Sequence, residues 1–376
     1  MNNRTLTILG VIAAVMLSAA LIQGYFVRHG APEAPQSGPL IQGLDTKLIR
    51  QIVVGKPGSE ITINWNEQNR RFELANKDNY PAKVAQINSL INACLEIQVS
   101  GRQTSNPANH ADLEVSDEKA QNIVKIIGEK DKLITGLVMG KRAEGQNGAY
   151  VRRVGENDVY VGQQSGWIPT NLNSYYDQQL LELNKDNLAQ VTVQGPGFEY
   201  NLTPDPNGKP QLKDKPLPAG KHLKDNALDP VFIALASLGC ADVKKSAEGL
   251  NFDHVYTSRL KDSTVYTFKV AQKDGKSYAT ATAAFGDQSQ VTISRQESQE
   301  ELKKKEAKLK ARDAADAFAK KHAGWVYELN SWQGENLTKK FDELIEDIPQ
   351  PKPAETPAAA PAAAAPVPAP DPAPAH

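Results

Sequence analysis

The segment at 167–180, WIPTNLNSYYDQQL, returns at 332–345 as WQGENLTKKFDELI. In each copy a Trp (Trp167, Trp332) precedes Asn-Leu (Asn171-Leu172, Asn336-Leu337), an aromatic-Asp pair (Tyr176-Asp177, Phe341-Asp342) and an aliphatic residue (Leu180, Ile345), all at one constant offset. A lone Trp-Asn-Leu carries little information. Two in register indicate internal duplication, and a duplicated chain folds as two copies of one unit. The openings agree: Leu44, Ile49, Ile52 and Val54 return as Leu183, Leu188, Val191 and Val193 at identical spacing, and Ile61 and Ile63 as Tyr200 and Leu202. Each closing segment reads as a helix, with Asn at the N-cap and apolar residues at i, i+4 and i+8 on one face. Asp177 and Asp342 read as residues that orient that helix alike in both copies.

Alternation of Ile61 and Ile63 about Thr62 marks a half-buried antiparallel strand, and Phe72-Glu73-Leu74 supplies another. Residues 82–95 carry apolar side chains at 84, 87, 90, 91 and 94, a helical stripe that should pack on the sheet. Its counterpart is 229–238, with Pro230 in the first turn. A short helix is expected near 118–127, followed by a hairpin of 133–139 with 149–154 and a strand at 159–161. In the second copy 264–270 and 277–285 make the equivalent hairpin around Asp274-Gly275. That copy alone inserts a charged stretch, about 297–321, which reads as an amphipathic helix with Leu302, Leu309 and Phe318 inward. The expected fold class is α+β: two tandem repeats of antiparallel sheet packed with helices, at 44–183 and 184–348, behind an N-terminal transmembrane helix and ahead of a disordered Ala/Pro-rich tail.

No residue from Thr5 to Val27 is charged. About 20 helical residues span the roughly 30 Å hydrocarbon layer, so 1–28 reads as a transmembrane anchor, with a signal peptide cleaved after Ala20 as the alternative. Residues 29–43 form a Pro/Gly-rich linker. A very short N-terminus stays in the cytoplasm, which would place the protein in the inner (cytoplasmic) membrane as a single-pass chain with its bulk periplasmic. The tail, 349–376, has no core-forming residues. It reads as a disordered spacer reaching roughly 85 Å when extended, or as a contact to the cell envelope.

A net charge of −1 gives no electrostatic case for nucleic acid. The only cysteines, Cys94 and Cys240, form no C-x-x-C, so a zinc site is not expected. They sit at nearly equivalent places, which suits either a disulfide between repeats or two buried free thiols. There is no G-x-S-x-G, H-E-x-x-H or G-x-x-x-x-G-K-[ST]. His110 with Asp112 is the nearest approach to a catalytic constellation, and it reads as a local hydrogen bond in a loop. No catalytic, cofactor or metal residues are assigned, and the chain is expected to be non-enzymatic with no cofactor.

Tyr80-Pro81-Ala82 before a helix, Thr104-Ser105-Asn106-Pro107, Ala111-Asp112-Leu113-Glu114-Val115, Gly140-Lys141, Gly148-Ala149-Tyr150-Val151-Arg152-Arg153 and the segment from Trp167 together resemble a bacterial family, domain of unknown function family 4340. Its members are typically membrane-anchored proteins encoded beside ABC transporters of the gliding-motility type. The resemblance covers 44–183 well and the second copy loosely. Lys83 stands where the family commonly has Asp, and Glu114 where it commonly has Gly, the residue suited to a turn with positive φ. The resemblance implies a partner rather than a reaction: an accessory subunit beside an ABC permease and its ATPase, with no catalytic residue to carry over. The alternatives are an anchored envelope protein binding a glycan or lipid without a transporter and, third, an envelope hydrolase. Any interface is expected on the exposed repeat ends and the charged helix.

Overall fold

The computed structural model describes residues 37–163, 166–213, 215–292 and 297–348. The first copy supplies β1 (Gly38–Pro39), β2 (Gln51–Lys56), β3 (Ser59–Asn66), β4 (Arg71–Leu74), β5 (Tyr80–Pro81), helix α1 (Val84–Leu95), β6 (Gln98–Thr104), β7 (Asn122–Ile127), β8 (Leu133–Arg142), β9 (Ala149–Arg153) and β10 (Val159–Gln163). Then come β11 (Gln179–Glu182), β12 (Leu188–Gly195), β13 (Phe198–Pro204), β14 (Pro210–Lys213), β15 (Lys221–Leu223), α2 (Leu228–Phe232), β16 (Ser237–Lys244), β17 (His254–Leu260), β18 (Thr264–Lys273) and β19 (Lys276–Phe285). The chain closes with α3 (Gln299–His322), β20 (Val326–Leu329), α4 (Ser331–Leu337) and β21 (Ile345–Asp347).

The first sheet runs β1-β6-β10-β9-β8-β7-β2-β3-β4-β5 and the second β11-β16-β20-β19-β18-β17-β12-β13-β14, while β15 and β21 pair separately. Each strand of the second sheet holds the place of a counterpart in the first, from β11 for β1 to β14 for β4. Register repeats as well. Ile52↔Ile63 and Val54↔Ile61 in the first sheet become Val191↔Leu202 and Val193↔Tyr200 in the second. All these side chains are buried, as period-two alternation requires of one sheet face. Even the entry turns agree, since Asp45 and Asn184 each cap a short 3-10 turn by accepting a backbone N–H two residues on.

The copies share one strand and one core. β11 follows directly on the first copy's closing segment, yet pairs with β16 of the second sheet through Leu181↔Leu238 and Glu182↔Ser237. A continuous hydrophobic cluster joins Ile52, Leu90 and Cys94 of the first copy to Val191, Tyr256 and Phe268 of the second. Helix α1 feeds it with Ile87, Leu90, Ile91 and Cys94, while Val84 of the expected stripe lies exposed in the first turn.

Several expectations are corrected. The fold is mostly β, two large antiparallel sheets with few helices, rather than α+β with a helical layer on each copy. Residues 122–127 form β7 instead of a helix, because the β-branched run Ile123-Val124-Lys125-Ile126-Ile127 is flanked by β2 and β8. The counterpart of α1 shrinks to the five residues of α2, and Ser237-Leu238 already belong to β16. Against the expected single-pass inner-membrane placement with a periplasmic bulk, no helix among the described residues is long and apolar enough to cross a membrane. The expected anchor, 1–28, and the expected tail, 349–376, lie outside the described residues.

The inserted stretch does form a helix. α3 starts at a capping box in which Ser298 and Glu301 satisfy each other's backbone N–H groups. It packs on β19, where Ala279, Ala281 and Ala283 present a small, buried face. Phe318 meets Tyr266 edge-on at 5.0 Å, but Leu302, expected inward, is 37% exposed.

Candidate interaction site

The duplicated closing segment divides into a buried part and an exposed part. In the first copy Asn171 caps a 3-10 turn, Leu172–Tyr175, by accepting from the Asn173 N–H at 2.9 Å, and Leu172 is half-buried. Tyr176 is buried and donates to Asn173 Oδ1 at 3.0 Å. Asp177 is exposed, accepts from the Gln179 N–H at 3.2 Å and lies 3.7 Å from Lys321 Nζ on α3. In the second copy the helix begins earlier than the motif implies. Asn336 sits inside α4 and donates to the Trp332 carbonyl at 2.7 Å, so it is no N-cap. Leu337 and Phe341 are buried, Phe341 lies against Tyr200, and Asp342 is exposed. The two tryptophans behave alike. Trp167 is 71% exposed and Trp332 is 52% exposed, although Trp is ordinarily well buried.

The buried part of the first closing segment builds the seam between copies. Tyr80 of β5 is boxed edge-on by Tyr176, Trp325 and Tyr327, at centroid distances of 5.7, 4.8 and 6.5 Å. Around it Lys77 pairs with Asp242, the Lys245 N–H donates to Asp78 Oδ2 at 3.1 Å, and the Lys83 N–H donates to the Tyr175 carbonyl at 2.6 Å. Burial pushes the Tyr80 hydroxyl up to about 12, and it raises Tyr176 and Tyr327 further. His322, 1% exposed at the end of α3, is hydrogen-bonded through Nδ1 to the Tyr327 hydroxyl at 2.7 Å. Burial first, then the Lys321 charge, lowers it to about 4 against an opposing pull from Asp177, so the imidazole is neutral. Cys94 and Cys240 are both free and buried, and burial pushes each thiol up to about 12.

The family-like motifs at 104–107, 111–115, 140–141 and 148–153 gather about the outer face of the first sheet. Residues 105–121 cross it as a strap over a small cluster of Val115, Ala120, Ile123, Val138 and Val159. Arg152, buried, donates through Nε to the Val115 carbonyl at 2.6 Å and through Nη2 to Asp117 Oδ1 at 2.5 Å. The Lys141 N–H donates to the Leu113 carbonyl at 3.2 Å, and a Cβ on Gly140 would stand 2.2 Å from that same oxygen. Glu114 has φ of 56°, the left-handed conformation for which Gly is the usual residue. His110 Nε2 bonds the Asn157 carbonyl at 3.0 Å rather than Asp112. These residues hold a loop on a sheet, a structural role.

Among the described residues, no group of three or more His, Cys, Asp and Glu is placed to hold a metal ion. Open cavities of about 370 and 500 Å³ lie beside α3 and beside the β18–β19 turn, each within the second copy. Sequence reasoning located the duplicated motif. It could not separate the exposed Trp from its buried neighbours, because both read as apolar.

Fold and surface together define a duplicated antiparallel-sheet protein with an aromatic side chain exposed at each repeat end. Residues 73–254 match the model of a family described as Domain of unknown function (DUF4340). The match runs from β4 to the start of β17 and thus crosses from one copy into the other. No curated protein and no solved structure matches the chain.

Proposed function

We propose that the chain is a non-enzymatic interaction module, an accessory subunit that docks beside the permease and ATPase of a gliding-motility-type ABC transport complex. The observation supporting an interaction role is the pair of exposed tryptophans, Trp167 and Trp332, at equivalent positions of a motif whose other apolar residues are at least half buried. A Trp ring left in water forgoes about 2–3 kcal/mol of burial, and Trp is enriched among residues that dominate binding. The same ring exposed at the end of both copies suits a surface that a partner completes. The transporter as that partner rests on the family resemblance of residues 80–153.

The test is a pull-down of tagged full-length protein, detergent-solubilised from cells that express such a transporter, beside the double variant Trp167→Ala/Trp332→Ala. Wild type should recover permease and ATPase in fixed proportion, and the variant should lose at least about tenfold of that recovery with its thermal stability intact. Wild type recovered alone refutes the transporter reading and turns attention to a glycan or lipid screen.

A further inference from the structure

We propose that the open side of β19 is a docking edge for an extended segment of another polypeptide, which adds there as a further strand. β19 pairs with β18 along its whole length, from Lys276↔Lys273 to Phe285↔Thr264. On its other side β20 reaches only Tyr278 and Ala279. The counterpart in the first copy is closed: β9 has β8 on one side and, from Ala149 to Arg152, β10 on the other. The difference traces to the α3 insertion. It fills the β19–β20 connection and returns the chain to the sheet only at Val326.

Among the described residues, 280–285 therefore keep one strand neighbour. Among the described residues, the further bond to their backbone comes from the Gln288 side chain, which donates to the Phe285 carbonyl at 3.1 Å. In an antiparallel strand every second residue points its N–H and C=O to the same side, and such an unpaired row complements another extended backbone. α3 covers one face of this stretch through Ala281 and Ala283, while Thr282 and Ala284 on the other face are exposed. Between the edge, the helix and the segment 287–291 that follows β19 lies the gap of about 370 Å³, lined in part by Ala283, Phe285, Leu309 and Arg312.

An added strand would turn alternate side chains into that gap, against Leu309 and Phe285, and the others to water beside Thr282 and Ala284. The occupant is accordingly an extended segment of alternating small aliphatic and polar residues, in the place that β10 takes in the first copy. Recognition of this kind draws affinity from main-chain bonds and selectivity from the alternate side-chain sites.

The probe is a synthetic peptide of residues 157–163, the β10 strand, added to the full-length protein and read by amide hydrogen exchange. Exchange across 280–285 should slow by about tenfold or more with peptide. In Thr282→Lys/Ala284→Lys, whose two lysines guard the edge from an exposed face, that protection should vanish. Unchanged exchange at millimolar peptide overturns the proposal, as does protection retained in the lysine variant. Protection that grows with protein concentration alone overturns it in favour of a second copy of this chain.

Discussion

Replacing Lys83 by Asp should stabilise the protein, and the structure sets the size of the gain. Lys83 is the N-cap of α1, with φ −76° and ψ 106°, and its side chain makes no cap bond. The backbone is thus already in the conformation from which Asp or Asn accepts an N2 or N3 N–H, a bond worth about 1 kcal/mol over a non-capping residue. The first turn of α1 holds no acidic residue, so a cation at the positive end of the helix stands uncompensated. Exchanging it for an anion adds roughly 0.3–1 kcal/mol, reduced by salt. Lys83 is exposed, and its main-chain bond to Tyr175 survives the change. The expected total is about 1–2 kcal/mol, or a melting temperature higher by roughly 1–3 °C for a chain of this size. Urea and thermal melts of Lys83→Asp, Lys83→Asn and Lys83→Ala separate the causes: Asn should keep the capping gain, and Ala only the relief of charge. Equal stability of the Asp and Ala variants, at low and high salt, would refute the capping argument.

Glu114→Gly should gain about 0.5–1 kcal/mol by releasing a left-handed residue, less the unfolded-state entropy of Gly and the bond from Gln121; denaturant midpoints would show a loss if that strain is absent. His322 is lowered from 6.5 to about 4 in the fold. Between those values the unfolded chain binds a proton that the buried imidazole refuses, so stability is present above pH 6.5 and lost as pH falls toward 4, on the order of 2–3 kcal/mol. Paired urea melts of wild type and His322→Gln across that window should converge toward low pH, and parallel curves would contradict the assignment. A maleimide should label both Cys94 and Cys240 in denatured, unreduced protein but neither in the native fold, whereas no labelling after denaturation would establish a disulfide.

The residues that announced themselves in the sequence are those whose structure is local. Ile52, Val54, Ile61 and Ile63 alternate because one sheet face is buried, and Asp274-Gly275 marks the β18–β19 turn, so both were legible. The stretch around α2 was not. VFIALASL is apolar but for Ser237, which suits a buried helix or a buried strand equally, and the chain uses Leu228–Phe232 for one and Ser237–Lys244 for the other. β7 misled for a related reason. Its leading EKAQ favours helix, while the strand that follows is fixed by neighbours on both sides. The Tyr80 box joins residues far apart in the chain, and no spacing rule reaches that far. Exposure of Trp167 and Trp332 is likewise a tertiary fact, although their repetition was plain from the sequence.

Duplication also explains why the two copies present different surfaces on one frame. β11 ends the first copy and opens the second sheet, so the copies are joined by strand pairing as well as by core. Changes to the shared parts would disturb both sheets, which leaves the connections as the places where the copies can differ. The first copy enlarges its β6–β7 connection into the strap that Arg152 holds on the sheet. The second enlarges its β19–β20 connection into α3, and the same insertion shortens the pairing along β19. The first copy's outer face is thereby closed, while the second gains a helix beside an incomplete edge. A partner engaging both exposed tryptophans would meet like anchors on unlike surroundings. Such a partner would bind in one orientation.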